Sequence, residues 1–155
     1  MKRTVRIWHL TKRFVGSITA TALVPDEERA VAAVLLGAEY ELFRRLSVAD
    51  QRHALHVLRR FDDFAPDAPT FARRAALLHD IGKVESTLGT AARVIATIVG
   101  PRTEGFRRYH AHERRGAELL RLADSDTRTV ELLADGAADD EITGWRTALR
   151  RADTI

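Results

Sequence analysis

Residues 77–83 read LLHDIGK: two leucines run directly into His79-Asp80, and Gly82 follows. The apolar run Ala75, Ala76, Leu77 and Leu78 predicts a buried helix that ends at the pair. An imidazole beside a carboxylate at such an end is either a helix terminus with an incidental histidine or half of a metal site. The dipeptide alone does not choose. With six histidines and twelve aspartates in 155 residues, roughly four in ten comparable chains would contain it by chance.

The chain as a whole narrows the choice. Its length suits one domain with a substantial core, and its 45% hydrophobic and 30% charged residues are ordinary for a folded, soluble protein. The absence of cysteine excludes disulfides, zinc ribbons and thiol nucleophiles, and fits a cytoplasmic location. The N-terminus MKRTVRIWHL lacks the apolar core of a secretion signal, and the longest apolar stretch, Ala30–Ala38, is too short to span a bilayer. No membrane partner is expected. The net charge of +3 is small and spread along the chain. Its densest part, Lys2, Arg3, Arg6, Lys12 and Arg13, reads as a solvated helix face, with a phosphate-bearing or nucleic-acid partner as the weaker reading.

The periodicity is helical almost throughout. Helices are predicted over about residues 3–15, from Pro25 to an interruption or end at Gly37, and from a capping box at Ser47–Asp50 to about Phe61. Ser17–Val24 has some strand character, and Asp62–Pro69, with two prolines, reads as a loop. Further helices are expected from Thr70 to the His-Asp pair, between Gly89 and Gly100-Pro101, and over His110–Ala123, Thr127–Ala134 and Asp140–Asp153. The fold class is all-α, a single helical bundle domain.

On those helices lie RHALHV at 52–57, LLHDIGK at 77–83 and RAD at 151–153. Together they resemble the HD-domain family of metal-dependent phosphohydrolases, whose pattern is a histidine, a later His-Asp pair and a distant aspartate on helices of one bundle. The resemblance covers roughly residues 50–153. It implies one HD-type domain over residues 1–155, with residues 47–155 as the metal-site core and residues 1–46 as a helical extension packed on it.

The resemblance implies that His53, His79, Asp80 and Asp153 hold one divalent ion of the Mn, Fe, Co, Ni or Mg kind. Two imidazoles and two carboxylates suit such an ion and leave coordination positions open. An open position lets the ion acidify water and polarise a phosphoryl oxygen. His56 competes with His53, being three residues further on the same helical face. The small residue and valine that follow the ligand in the family correspond to Ala54 and Val57, which favours His53.

Catalytic roles are expected for Asp80 and for Glu85, a candidate to orient the attacking water. Substrate phosphate is expected to meet Lys83, three residues past Asp80, and His112, which precedes Gly116–Leu120 as a pocket histidine does in many relatives. His110, two residues from His112, points away on a regular helix. The expected partner is a small phosphorylated substrate, a nucleotide among the candidates.

The chain departs from the family pattern in one respect. Many relatives carry further histidines that hold a second metal, whereas residues 132–140 read LLADGAADD. The Gly-Tyr-Pro triplet of the two-metal cyclic-dinucleotide phosphodiesterases is absent as well. A mononuclear site is expected, since the further donors available to a second ion are His112, alone too few, and the acidic cluster Asp135, Asp139 and Asp140, which reads as a solvated loop. A non-catalytic, metal-dependent binding or regulatory module is the alternative.

Overall fold

Pro25 opens the first helix of the computed structural model, which describes residues 21–85, 115–134 and 136–154, with Glu85 described by its backbone only. Helix α1 (Pro25–Val34) has proline at its first turn, where the missing N–H costs nothing, and Asp26, Glu27 and Glu28 beside the positive end of its dipole. It stops at Val34. Leu35 and Leu36 are extended, and the Glu39 carboxylate accepts the Leu36 N–H at 2.8 Å. That cap starts α2 (Gly37–Arg44). Gly37 therefore begins a second helix, where the sequence reading expected only an interruption or an end.

Helix α3 (Val48–Phe64) starts at Ser47, whose Oγ accepts the Asp50 N–H at 3.2 Å. The predicted capping box is half formed, because the Asp50 carboxylate accepts the Ser47 hydroxyl at 2.6 Å and not its backbone N–H. The helix runs on to Phe64, past the predicted end at Phe61. Arg73 holds Asp62 in a two-pronged pair with both bonds at 2.8 Å, and the Ala65 N–H reaches the Phe61 carbonyl at 2.9 Å. Pro66 then disfavours helical geometry at Ala65 and stops the helix.

Helix α4 (Thr70–Leu78) delivers the His-Asp pair and passes into a 3₁₀ turn, Ile81–Glu85. Residues 115–122 form α5, Thr127–Leu133 α6 and Asp140–Thr154 α7. The described residues contain no strand, and the fold is all-α. The helices expected over residues 3–15 and between Gly89 and Gly100 lie outside the described residues. So do residues 17–20 of the stretch read as strand-like, while Thr21–Val24 are neither helix nor strand.

Helix α3 packs on α4 and α7, α4 on α6, and α6 on α7, while α1 and α2 lean on α4. Phe43, Phe61, Leu77, Leu78, Ile81, Leu120 and Ile142 fill the core between them. Phe61 meets the Trp145 ring at 6.2 Å between centroids, joining α3 to α7. Ala54 and Ala152 are fully buried, and side chains that small let neighbouring backbones approach closely. The Arg60 Nε donates to the Ala152 carbonyl at 2.7 Å, which fixes the register of α7 against α3. Arg146 secures the other side of α7. Its guanidinium donates to the carbonyls of Glu131, Leu132 and Ala134 at 2.6, 3.1 and 2.7 Å, closing the C-terminus of α6. Among the described residues, no helix is long and apolar enough to cross a membrane.

Candidate metal centre

Four side chains from three separate stretches converge where α3, the end of α4 and the end of α7 meet. His53 comes from the second turn of α3, His79 and Asp80 from the junction after α4, and Asp153 from the last turn of α7. The His53 Nε2 lies 2.9 Å from Asp153 Oδ1 and 4.0 Å from Asp80 Oδ2. The His79 Nε2 lies 3.5 Å from Asp80 Oδ2 and 3.6 Å from Asp153 Oδ1. One donor atom each from His53, His79 and Asp153 fall within 4.8 Å of one another. The two imidazoles meet edge to face, 5.4 Å between centroids.

Local structure explains why these donors face one another. Ala54 and Ala152, next to a ligand candidate each, bring α3 and α7 close. The His79 Nδ1–H donates to the Ala76 carbonyl at 2.9 Å, one turn back, which fixes the ring and turns Nε2 toward the carboxylates. Gly116 of α5 sits over the following turn, and a Cβ there would stand 3.3 Å from both the Gly82 nitrogen and Ile81 Cγ2. Glycine lets α5 close over the segment that carries the pair.

The electrostatics match a cation site. Burial pulls the His79 pKa down, but the Asp80 charge and the nearby Asp153 carboxylate outweigh it, so the imidazole titrates above its ordinary value. Burial pushes Asp80 up, yet His79, Lys83 and His53 hold it below the usual carboxylate range. Asp153 is likewise lowered by His53 and His79 against the effect of burial. Both carboxylates are thus ionised throughout the neutral range.

The donor set fits a divalent ion. The His79 Nε2 is buried without a hydrogen-bond partner, since both carboxylate oxygens beside it stand too far away. A buried ring nitrogen left in this way is costly, and coordination to an ion would satisfy it. The side chain of His79 is 10% exposed and that of Asp153 38%, so the cluster is closed at His79 and open at Asp153.

The remaining candidates fall as follows. His56 is exposed and does not join the cluster; burial and the charges of Arg59, Arg52 and Arg60 depress its pKa. Lys83 lies against the Asp80 Oδ2, with its Nζ also 3.5 Å from Asp50 Oδ1. The side chain of Glu85, and the whole of His110, His112 and Asp135, lie outside the described residues. Asp139 is engaged elsewhere, its Oδ1 accepting the Ile142 N–H at 2.8 Å at the start of α7. At 1.5 Å per residue, α7 puts it roughly 20 Å from Asp153. The sequence reading gave Asp50 only a capping role, although its position three residues before His53 puts both on one helix face.

A family model for the HD domain matches residues 44–148, about two thirds of the chain. The match includes His53, His79 and Asp80 and ends five residues before Asp153, whose place in the cluster rests on the geometry above. No curated protein and no solved structure gives a match.

Proposed function

The chain belongs to the HD-domain family of metal-dependent phosphohydrolases, and on that premise we propose that it hydrolyses a phosphate ester at a single divalent ion. His53, His79, Asp80 and Asp153 would hold that ion, and the observation that carries the reading is the meeting of His53, His79 and Asp153 from three separate stretches, with Asp80 Oδ2 3.5 Å from a buried His79 Nε2 that makes no hydrogen bond. A bound Mn, Fe, Co, Ni or Mg ion supplies Lewis acidity toward a phosphoryl oxygen and lowers the pKa of water.

The protein's own groups do the rest. His79 is oriented by Ala76 and enclosed, so it presents one lone pair in a fixed direction. Asp153 forms the open side, where a small phosphorylated substrate, a nucleotide among the candidates, has access. In this reading Asp80 is a ligand to the ion and takes the catalytic role that the sequence assigned to it. Two carboxylates against one divalent ion leave the centre near neutrality, which tolerates an incoming phosphate. The mononuclear reading is supported by the position of Asp139, at the far end of α7. The Glu85 and His112 roles remain part of the proposal on sequence grounds.

The test is hydrolysis of a panel of phosphorylated metabolites by the purified protein with added Mn, Co, Ni or Mg. Turnover that is lost in Asp80→Ala, with helical content unchanged, is the expected result. Metal-loaded wild type that is inert over the whole panel would overturn hydrolysis in favour of a binding module.

The pH dependence follows from His79. A cation needs its neutral Nε2, so binding releases the proton that the raised pKa retains. Affinity for Mn²⁺ therefore strengthens as pH rises through the His79 pKa, which lies above the ordinary imidazole value. Asp80 and Asp153, with lowered pKa values, stay ionised and add no slope there. Calorimetry from about pH 6 to 8 should show proton uptake by the buffer at the acid end. An affinity that is flat over that range would contradict the assignment of His79.

A further inference from the structure

Lys83 does not stand alone beside the cluster. Its Nζ bonds Asp80 Oδ2, the oxygen that faces both imidazoles, and lies 3.5 Å from Asp50 Oδ1. Asp50 is itself fixed. Its other oxygen accepts the Ser47 hydroxyl at 2.6 Å, and its backbone N–H returns to Ser47 Oγ at 3.2 Å. The side chain of Asp50 is 16% exposed and that of Lys83 28%, so neither is a freely solvated surface charge. The result is a chain of contacts from the capped start of α3, through Asp50 and Lys83, to the carboxylate that follows His79.

The same helix thus reaches the cluster twice. His53 enters directly, and Asp50, one turn earlier on the same face, enters through Lys83. We infer that Asp50 and Lys83 form a positioning pair, in which Asp50 holds the Lys83 ammonium against Asp80 and so fixes the orientation of that carboxylate for a divalent ion. The inference rests on the proposed metal site. It assigns Lys83 to Asp80 where the sequence reading assigned it to substrate phosphate. A lysine held by two carboxylates has much of its charge already offset, which leaves less for an incoming anion. Partners that orient a ligating side chain in this way typically change metal affinity by about 10–100-fold when removed.

A charge at position 50 would also act on a nearby cation through space, so the pair is tested by its coupling. Asp50→Asn keeps an oxygen for the Ser47 hydroxyl and removes the ion pair. Mn²⁺ affinity is measured by calorimetry for wild type, Asp50→Asn, Lys83→Met and the double variant. Thermal unfolding of the same four proteins is followed after metal is stripped with a chelator.

Asp50→Asn is expected to weaken Mn²⁺ binding about tenfold in the wild-type background and less than about twofold in the Lys83→Met background. In the metal-free proteins its effect on Tm should likewise shrink once Lys83 is gone. Equal effects of Asp50→Asn in both backgrounds would overturn the pair and leave only a through-space charge. If wild type bound no Mn²⁺ while the metal-free coupling persisted, the pair would stand as a structural clamp, but its role toward a metal would fall with the metal site. If Mn²⁺ bound tightly and both couplings vanished, the metal site would stand and the pair would fall.

Discussion

His79→Ala is expected to weaken Mn²⁺ binding by on the order of a hundredfold or more and to reduce any hydrolysis to background, with helical circular dichroism unchanged. The substitution removes a nitrogen donor, and among the described residues the carboxylates that remain have no other imidazole as enclosed as this one. His79 is the most enclosed donor of the cluster, and its loss removes the bond to the Ala76 carbonyl and part of the attraction that holds Asp80 and Asp153 ionised, so helical content is measured beside the titration. His56→Ala is the matched control. That imidazole lies on the same helix as His53 but is exposed and outside the cluster, so metal binding should stay at the wild-type level. Mn²⁺ titration of the two variants separates the roles; equal affinity in both would mean that the ring of His79 is not a ligand.

Phe61→Ala is expected to be among the most destabilising single substitutions, at about 3–5 kcal/mol. The ring is fully buried and joins α3 to Trp145 of α7, so truncation leaves a cavity at the crossing that also sets the spacing of His53 and Asp153. For a chain of this size that corresponds to a Tm loss on the order of 10 °C. Phe64, one turn further, is 37% exposed and carries the Arg151 guanidinium 4.2 Å above its ring. Phe64→Ala should cost only about 1 kcal/mol. Chemical denaturation of both variants, fitted with a common slope, checks the difference; comparable losses would place the critical contact outside the α3–α7 crossing.

What the sequence made legible follows from the kind of signal each feature leaves. The all-α class was readable because α3, α4 and α7 each bury one stripe, and such stripes recur at helical spacing. The convergence of His53 with His79 was anticipated by motif, since a local spacing places each side chain on its own helix. The start of α2 at Gly37 was not readable, because its cap is a Glu39 carboxylate reaching back to a leucine N–H, and leucine at a cap position gives no compositional cue. The extension of α3 to Phe64 was hidden for a different reason. The pair between Asp62 and Arg73 is made across two helices, and a stretch rich in aspartate and proline reads locally as loop. Asp50 was legible only as a cap. Its second contact, to Lys83, depends on the packing of the 3₁₀ turn beside α3, which no spacing along the chain encodes.

Asp153 is where geometry adds most. It lies beyond the family match, in a tripeptide too short to be distinctive, yet its Oδ1 stands 2.9 Å from His53 and 3.6 Å from His79. The buried alanines and the Arg60 bond to the Ala152 carbonyl carry it there. Its position makes the site a product of the whole bundle and not of the His-Asp motif alone.

The most direct test of the central claim is an anomalous difference map from crystals grown with Mn²⁺. One peak per chain is predicted, bonded at about 2.0–2.3 Å to His53 Nε2, His79 Nε2, Asp80 and Asp153. A peak that excludes His53 or Asp153, or two peaks of comparable height within one chain, would contradict it.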